Sequence, residues 1–506
     1  MVPSTVLTDH LRMHRGSTSF PDGVRWAAYP TGIRRSLEIL QSLSPEGRDG
    51  FLYACSAVFA GVAALAMGIP LYRQWGQMAV GPYAAAAVLM IVVAHRRSVS
   101  ARTRPMALPG GSGDAPRSVT GGRRWKVARV AAFLIALFGA TIVPLAMEVI
   151  WRSEGDASLH VQPEVLVVEQ AGDRAAHGQD PYRVVDRNGH ILIHEHTEPI
   201  YELYYPYLPG MVVFGFSTGS RVEARLTDAR IQFLLFTVVV SLLALSRLRP
   251  RTDARIRALQ ILTVLPTAAL PLATGGDDMP VVALMLLGLV ALQRRRPFLA
   301  GLALGAASSL KFTAWPLALI ALWAASDRSR RRALAWYALG VMVIMGPVVL
   351  PVALSNPSAF VDNVIRFPLG LAGVSSPAAS ALPGHILVAA LPGIHRAYVV
   401  TVVVVGGALL VWRLRRRPPG TAAEAASLSG WVMLIAIVLA PATRVGYLLY
   451  PINLFVWAWM LRQADEPDPR RSGGKGQLSS GSSNSSRENV VDPADVVGDT
   501  VAPTSQ

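Results

Sequence analysis

The chain has 506 residues, 52% of them hydrophobic and only 16% charged, against about a quarter charged in a typical soluble domain. This excludes a water-soluble globular protein and implies a polytopic membrane protein. The formal net charge of +16 comes from Lys and Arg held in short runs between apolar segments, the pattern of cytoplasmic loops, so no nucleic-acid partner is expected.

Residues 1–50 read as a cytoplasmic N-terminal segment. They lack a short apolar core followed by a small-residue cleavage site, so the first hydrophobic helix is expected to act as an uncleaved insertion signal. An N-terminal transmembrane hairpin is expected over 51–94, with spans near 51–72 and 78–94. Cys55, the only cysteine, lies in an apolar run and has no partner for an intramolecular disulfide. Residues 95–126 carry eight Lys or Arg against one acid, Asp114, and are assigned to the cytoplasm. Within them, Pro105 to Gly122 reads as a flexible linker that makes the hairpin an appendage of the main body.

That body is expected over 127–462, with further spans near 127–150, 229–246, 257–273, 279–292, 333–353, 397–412, 425–441 and 446–461. The polar stretch 151–207 holds ten acids against four arginines, so the outer loop 151–228 is placed outside. The basic runs SRLRPR, QRRRP, DRSRRR and RLRRRPP then all fall inside, with both termini. The tail 463–506 is rich in Ser, Gly, Asp and Pro, has no apolar periodicity, and is expected to be cytoplasmic and disordered.

The outer loop has its own signals. Pro163 and Gly178 bracket a helix whose Val165, Val168, Ala171 and Ala175 form one apolar stripe, suited to lying along the membrane surface. In YRVVDRNGHILIHEH, Asn188 and Gly189 separate two β-prone arms, a hairpin signal that puts His190, His194 and His196 on one face. Strand-borne His-x-His suits zinc, but no well-spaced third ligand follows, so neither a metal nor a cofactor is expected. YLPGMVVFGFSTG, 207–219, is apolar yet too short to span, and is expected to form an outer-surface or re-entrant helix. Residues 298–325 must leave and return between two basic loops with about thirteen residues each way, or about 20 Å of helix against a 30 Å core. They are expected to form a half-depth hairpin with Lys311 near its tip. A lysine there faces water, a partner or a ligand, or else snorkels to the interface.

HGQDPY (His177 to Tyr182) after an amphipathic helix, then YYPYLPG, with Asp156 just outside a span, resemble the first outer loop of GT-C glycosyltransferases. Further matches are TGGDDMP (Thr274 to Pro280), AGLALGAASSLKFTAWP (Ala300 to Pro316) and RVGYLLYP (Arg444 to Pro451). Together, over about residues 127–462, they resemble glycosyltransferase family 87, the polyprenyl-phosphate-mannose-dependent mannosyltransferases. YPYLP stands where YPP is more usual, and the first two spans lie outside the pattern. The resemblance implies an all-α, GT-C-like bundle of about 10–12 segments in the plasma membrane of the cell envelope. It also implies that a mannose-like sugar passes from a polyprenyl phosphate to a lipid or glycan acceptor on the outer face. Membrane lipids are then the other partners.

Such a reaction needs a carboxylate within reach of the acceptor hydroxyl, and Asp156 is the candidate, with Glu154 and Glu148 as alternatives. Asp156 also reads as a helix cap or a solvated loop acid. The leaving phosphate needs cations, for which Lys311, Arg444 and His385 are the candidates. Arg444 equally suits an interfacial anchor, and His385 a structural role. Tyr182, Tyr204, Tyr205 and Tyr207 are candidates for substrate contact, although tyrosines at this depth also form the interfacial belt. Asp277 and Asp278 either bind sugar hydroxyls or cap the following helix. A multi-span transporter, a lipid-linked glycan flippase and a glycan ligase or polymerase are the alternative functions. Carriers show paired repeats with midplane polar residues, and neither is visible here.

Overall fold

The computed structural model describes residues 43–102, 119–155, 159–182, 200–216, 226–248, 252–325, 330–374 and 376–465. Asp156 and the arms around Asn188 and Gly189, with His190, His194 and His196, lie outside these residues. A second unit, Asp465–Gln506, is distinct from the unit Met1–Ala464, and all of it but Asp465 lies outside them too.

Proline and side-chain caps set where the helices begin. α1 (Pro45–Ala66) starts behind Ser44, whose hydroxyl accepts the Gly47 amide at 3.1 Å. It starts and stops earlier than the expected 51–72, because Gly68 and Pro70 close it and Pro70 opens α2 (Pro70–Arg102). α3 (Val119–Leu137) passes through a wide turn at Phe138–Ile142 into α4 (Val143–Glu154). Pro144 has no amide hydrogen for the Ala140 carbonyl four residues back, and the indole of Trp75 on α2 donates to that carbonyl at 2.9 Å. α5 (Pro163–Ala176) is the expected loop helix, buried along Val165, Val168 and Ala171 but also at Val167 and Gly172.

α6 (Ala229–Ser246) is followed by α7 (Thr252–Thr263) and α8 (Pro266–Thr274), one span broken at Pro266. Next come α9 (Asp278–Gln293), α10 (Pro297–Leu310), α11 (Trp315–Ala324) and α12 (Arg330–Ser355). The bundle closes with α13 (Pro357–Val361), α14 (Pro383–Ala390), α15 (His395–Arg416), α16 (Ala422–Leu439) and α17 (Leu449–Asp465). Among the described residues eight helices are long and apolar enough to cross a membrane. There is no β-strand among them, only an isolated bridge between Ala379 and Thr443. The chain is an all-α, multi-pass membrane protein.

The half-depth hairpin is present: α10 and α11 meet at an extended Lys311, φ −145° and ψ 143°. The segment after Tyr207 differs from expectation. It forms a six-residue 3₁₀ turn, Pro209–Phe214, with Met211 and Phe214 buried in the protein. Gly210 explains the fit, since a Cβ there would stand 2.7 Å from the Ser309 carbonyl at the end of α10. The neighbouring Leu208 amide donates to the Leu310 carbonyl at 3.1 Å.

The N-terminal hairpin is tied to the body more closely than an appendage. Asp49 pairs with Arg129 at 2.6 Å and Arg257 at 2.8 Å, and the Gln260 amide donates to the Tyr53 hydroxyl at 3.1 Å. The Tyr83 hydroxyl donates to the Val264 carbonyl at the α7–α8 break. Tyr53, Trp75, Tyr83 and Met90 pack in one apolar cluster with Val264, Ala269 and Ala273.

Candidate active site

Lys311 organises the site. The turn before α9 needs Gly276 at φ +91°, a conformation glycine adopts without strain, and it presents Asp277 and Asp278 together. Lys311 Nζ lies 2.8 Å from Asp277 Oδ2 and is bonded to Asp278 Oδ1. The Tyr450 hydroxyl donates to the same Asp278 oxygen at 2.6 Å, and Thr313 donates to Tyr450 at 2.7 Å. The ammonium sits 5.0 Å from the centre of the Tyr207 ring, a cation–π distance. All three charged side chains are buried. Lys311 therefore does not snorkel; two carboxylates and an aromatic face hold it.

A second pair stands at the same end of the bundle. Arg444, between α16 and α17, is bonded to Glu164 in the first turn of α5. Burial works against the Arg444 charge, but the Glu164 carboxylate outweighs it and holds the guanidinium above its usual range. Tyr207 connects the two groups, because it feels Asp277, Glu164 and Arg444. Burial, reinforced by Asp277, keeps its phenol protonated well above the ordinary range.

The depth of the site follows from helix length. α9 and α10 have 16 and 14 residues and rise about 24 and 21 Å, short of the roughly 30 Å apolar core of a bilayer. The neighbouring α12, with 26 residues, rises about 39 Å. The charged group is thus recessed at one end of the bundle. Beside Lys311, Phe312 and Trp315 are exposed on the outside of the protein.

The other tyrosines back this wall. Tyr182 is buried, donates its hydroxyl to the Tyr207 carbonyl at 2.8 Å, and packs edge-on against Phe360. Tyr205 lies tilted against Tyr182 and edge-on to Tyr207, and its amide donates to Asn363 at 2.7 Å. Tyr204 stacks flat on Phe367, 4.4 Å between centroids, and burial pushes its phenol up to about 12. Their ring faces are filled by protein, so of the four tyrosines expected to touch substrate only Tyr207 faces the charged group. Asp277 occupies the cap position of α9 but makes no side-chain cap bond; it and Asp278 are committed to Lys311.

His385 on α14 donates Nδ1 to the Pro441 carbonyl at 2.8 Å, fastening α14 to the end of α16. No hydrogen bond or ion pair joins it to Lys311 among the described residues. Glu148 is fully buried on α4 and accepts a hydrogen bond from His160 Nδ1 at 3.0 Å. Glu154, the last residue of α4, is exposed. The loop that leaves α4 is anchored by Arg152, which pairs with Glu169 at 2.6 Å and Asp228 at 2.7 Å. Arg230 doubles the hold on Asp228, whose carboxyl stays below the usual range because these arginine contacts outweigh burial. Among the described residues no three His, Cys, Asp or Glu side chains gather as a metal-binding group.

Glu164, Tyr450, Thr313, Gln162 and Tyr72 are site residues that sequence reasoning missed. Tyr450 lay inside the RVGYLLYP motif, where a hydroxyl beside a cation was a usable signal. Glu164 looked like an ordinary first-turn acid of a helix.

The model of glycosyltransferase family 87 matches residues 220–441 of this chain, a span that contains Asp277, Asp278, Lys311 and His385. Over that span, which holds TGGDDMP and AGLALGAASSLKFTAWP, the chain carries the family 87 pattern that the sequence resembles, while HGQDPY, YYPYLPG and RVGYLLYP lie outside the matched residues. No curated protein matches the chain significantly. Among solved structures the chain is similar to ArnT from Cupriavidus metallidurans, crystallised with undecaprenyl phosphate, at 18% identity and a TM-score of 0.40. The alignment covers 69% of this chain and 62% of ArnT, so the chain spans less than two thirds of that protein's length.

Proposed function

We propose that the chain is a membrane glycosyltransferase that moves a mannose-like sugar from a polyprenyl-phosphate donor to a hydroxyl of a lipid or glycan acceptor on the outer face of the plasma membrane. The observation that carries this reading is the recessed, buried group of Asp277, Asp278 and Lys311, inside the family 87 span and beside exposed Phe312 and Trp315. A donor with a prenyl tail and a charged headgroup needs this combination of an apolar flank and a polar floor at the depth of its phosphate.

In the reaction the acceptor oxygen bonds to the sugar's anomeric carbon, the bond from that carbon to the phosphate oxygen breaks, and the phosphate leaves with the electron pair. The acceptor's proton passes to a carboxylate. Asp156 is assigned that role, with Glu154 and Glu148 as alternatives; Glu148 is the weakest of the three because it is buried and committed to His160. The cations divide the remaining work. Asp277, Asp278 and Glu164 bring three carboxyl groups to Lys311 and Arg444, and their oxygens suit sugar hydroxyls. Arg444 has five N–H donors and spends one on Glu164, so it is the first contact for the donor phosphate. Lys311 pairs with Asp277 and Asp278 and adds positive charge as the phosphate departs.

Two experiments test this reading. Asp156→Asn, assayed in membranes with labelled polyprenyl-phosphate mannose, should lose about 10² to 10⁴ in transfer rate with donor binding little changed. Full activity would name the wrong base, and the parallel Glu154→Gln and Glu148→Gln variants would identify the right one. Movement of labelled donor across the bilayer without any new sugar bond would replace the transferase by a carrier. The orientation is tested in a Cys55→Ala background, where Ser158→Cys should react with an impermeant thiol reagent in intact cells and Ser479→Cys should not. The reverse labelling would put the site on the cytoplasmic face.

A further inference from the structure

The N-terminal hairpin lies outside the family 87 span of residues 220–441, yet it delivers a side chain to the site. Pro70 opens α2, and Tyr72, in its first turn, receives a hydrogen bond from the Gln162 amide at 2.8 Å. The same Gln162 amide nitrogen donates to Thr274 Oγ1 at 2.8 Å, and the Gln162 backbone N–H donates to the Thr274 carbonyl at 3.0 Å. Gln162 also lies so close to Gly275 that a Cβ there would stand 2.6 Å from its carbonyl oxygen. This one residue therefore joins three pieces of chain: α2, the end of α8 just before Asp277, and the start of α5. Two residues further on, Glu164 holds Arg444. Tyr72 itself lies within electrostatic reach of both members of that pair.

A tyrosine at the end of a membrane helix is ordinarily an interfacial anchor with its hydroxyl in water or headgroups. Here the hydroxyl accepts an inward-facing amide that is shared with the α8 end, and α2 is held in place close by, where Trp75 caps the Ala140 carbonyl. We propose that the N-terminal hairpin forms one wall of the glycosyl-transfer site, with Tyr72 as a positioning residue that holds Gln162, and through it the Glu164–Arg444 pair, in register for the donor phosphate. The inference rests on the proposed transferase function and deepens it. The hairpin, outside the matched residues 220–441, then tunes the same site, and acts through the donor-phosphate side.

The test uses the full chain in membranes with labelled polyprenyl-phosphate mannose, comparing wild type, Tyr72→Phe, Gln162→Ala and the double variant. Tyr72→Phe removes one oxygen and should raise the apparent KM for the donor roughly three- to tenfold with little change in kcat, the size of one neutral hydrogen bond. Thermal unfolding should stay at the wild-type midpoint. Gln162→Ala should raise KM at least as much, and the double variant should be no worse than Gln162→Ala, because both changes break one linkage. A wild-type KM in Tyr72→Phe, a loss confined to stability, or fully additive effects in the double variant would each overturn the proposal while leaving the transferase intact. Absence of sugar transfer by the wild-type protein would instead overturn the function on which it rests.

Discussion

The two ends of the bundle both bury ion pairs, and they differ in how completely those charges are spent. Tyr72 and Arg97 mark the ends on the single helix α2, about 38 Å apart by helical rise. At the Arg97 end, Glu46 pairs with Arg97 at 2.6 Å, Asp49 with both Arg129 and Arg257, and Asp253 with Arg129. Three acids meet three arginines, with Arg97 and Asp253 exposed at the edge of the group, and these pairs link α1, α2, α3 and α7. At the Tyr72 end Arg152 and Arg230 balance Glu169 and Asp228 in the same way. In the Lys311–Arg444 group beside them, however, three acids meet two cations, hydroxyls of Tyr207, Tyr450 and Thr313 surround them, and the supporting helices stop short of a full span. A buried charge by itself therefore says little about function. A balanced cluster that fastens helices together is explained by folding, whereas the unbalanced one, set below the rim beside exposed apolar side chains, is where the proposed function places the donor.

The sharpest way to break this comparison is to remove one cation from each end and measure transfer per folded molecule. Lys311→Met strips Asp277 and Asp278 of their shared partner, and transfer should fall by roughly a hundredfold or more, as for loss of a fixed charge at a developing phosphate. Thermal unfolding in detergent monitors the fold in parallel. If the transfer rate per folded molecule survived, Lys311 would be as structural as the arginines at the other end.

Arg129→Met should do the opposite. It leaves Asp49 with Arg257 alone and exposes the charge imbalance to the interior, a change that costs about 3 to 5 kcal/mol of stability for a broken buried pair. Yield and unfolding midpoint should drop, while the folded fraction transfers sugar at the wild-type rate. Impaired turnover in well-folded Arg129→Met would mean that the two ends are coupled through the hairpin and that the division drawn above is too sharp.

How much of this was legible beforehand varies from residue to residue. The spans follow from hydropathy and charge, and the half-depth hairpin with Lys311 at its tip follows from a segment too short to cross twice. Helix α5 was readable from Pro163 and Gly178. The partners were not readable: Lys311 meets Asp277 and Asp278 from 33 or 34 positions away, and Arg444 meets Glu164 from 280, separations at which no local periodicity connects the chain. Tyr204 and Tyr205 suit a substrate platform or the interfacial belt equally in sequence, and their packing against Phe367, Tyr182 and Tyr207 was not readable there. The contacts of the hairpin with the body were not readable either, because a Pro/Gly-rich linker signals separation along the chain and is silent about contact through space.

The central claim is that the donor's phosphate is received at the Arg444 end and its tail at Phe312 and Trp315. Electron cryo-microscopy of the full chain in lipid nanodiscs with undecaprenyl phosphate tests it directly. The account predicts density for the phosphate within hydrogen-bond distance of the Arg444 guanidinium, above the Asp277–Asp278–Lys311 group, with the prenyl chain leaving past Phe312 and Trp315. Phosphate density elsewhere, with Arg444 still bonded only to Glu164, would contradict it.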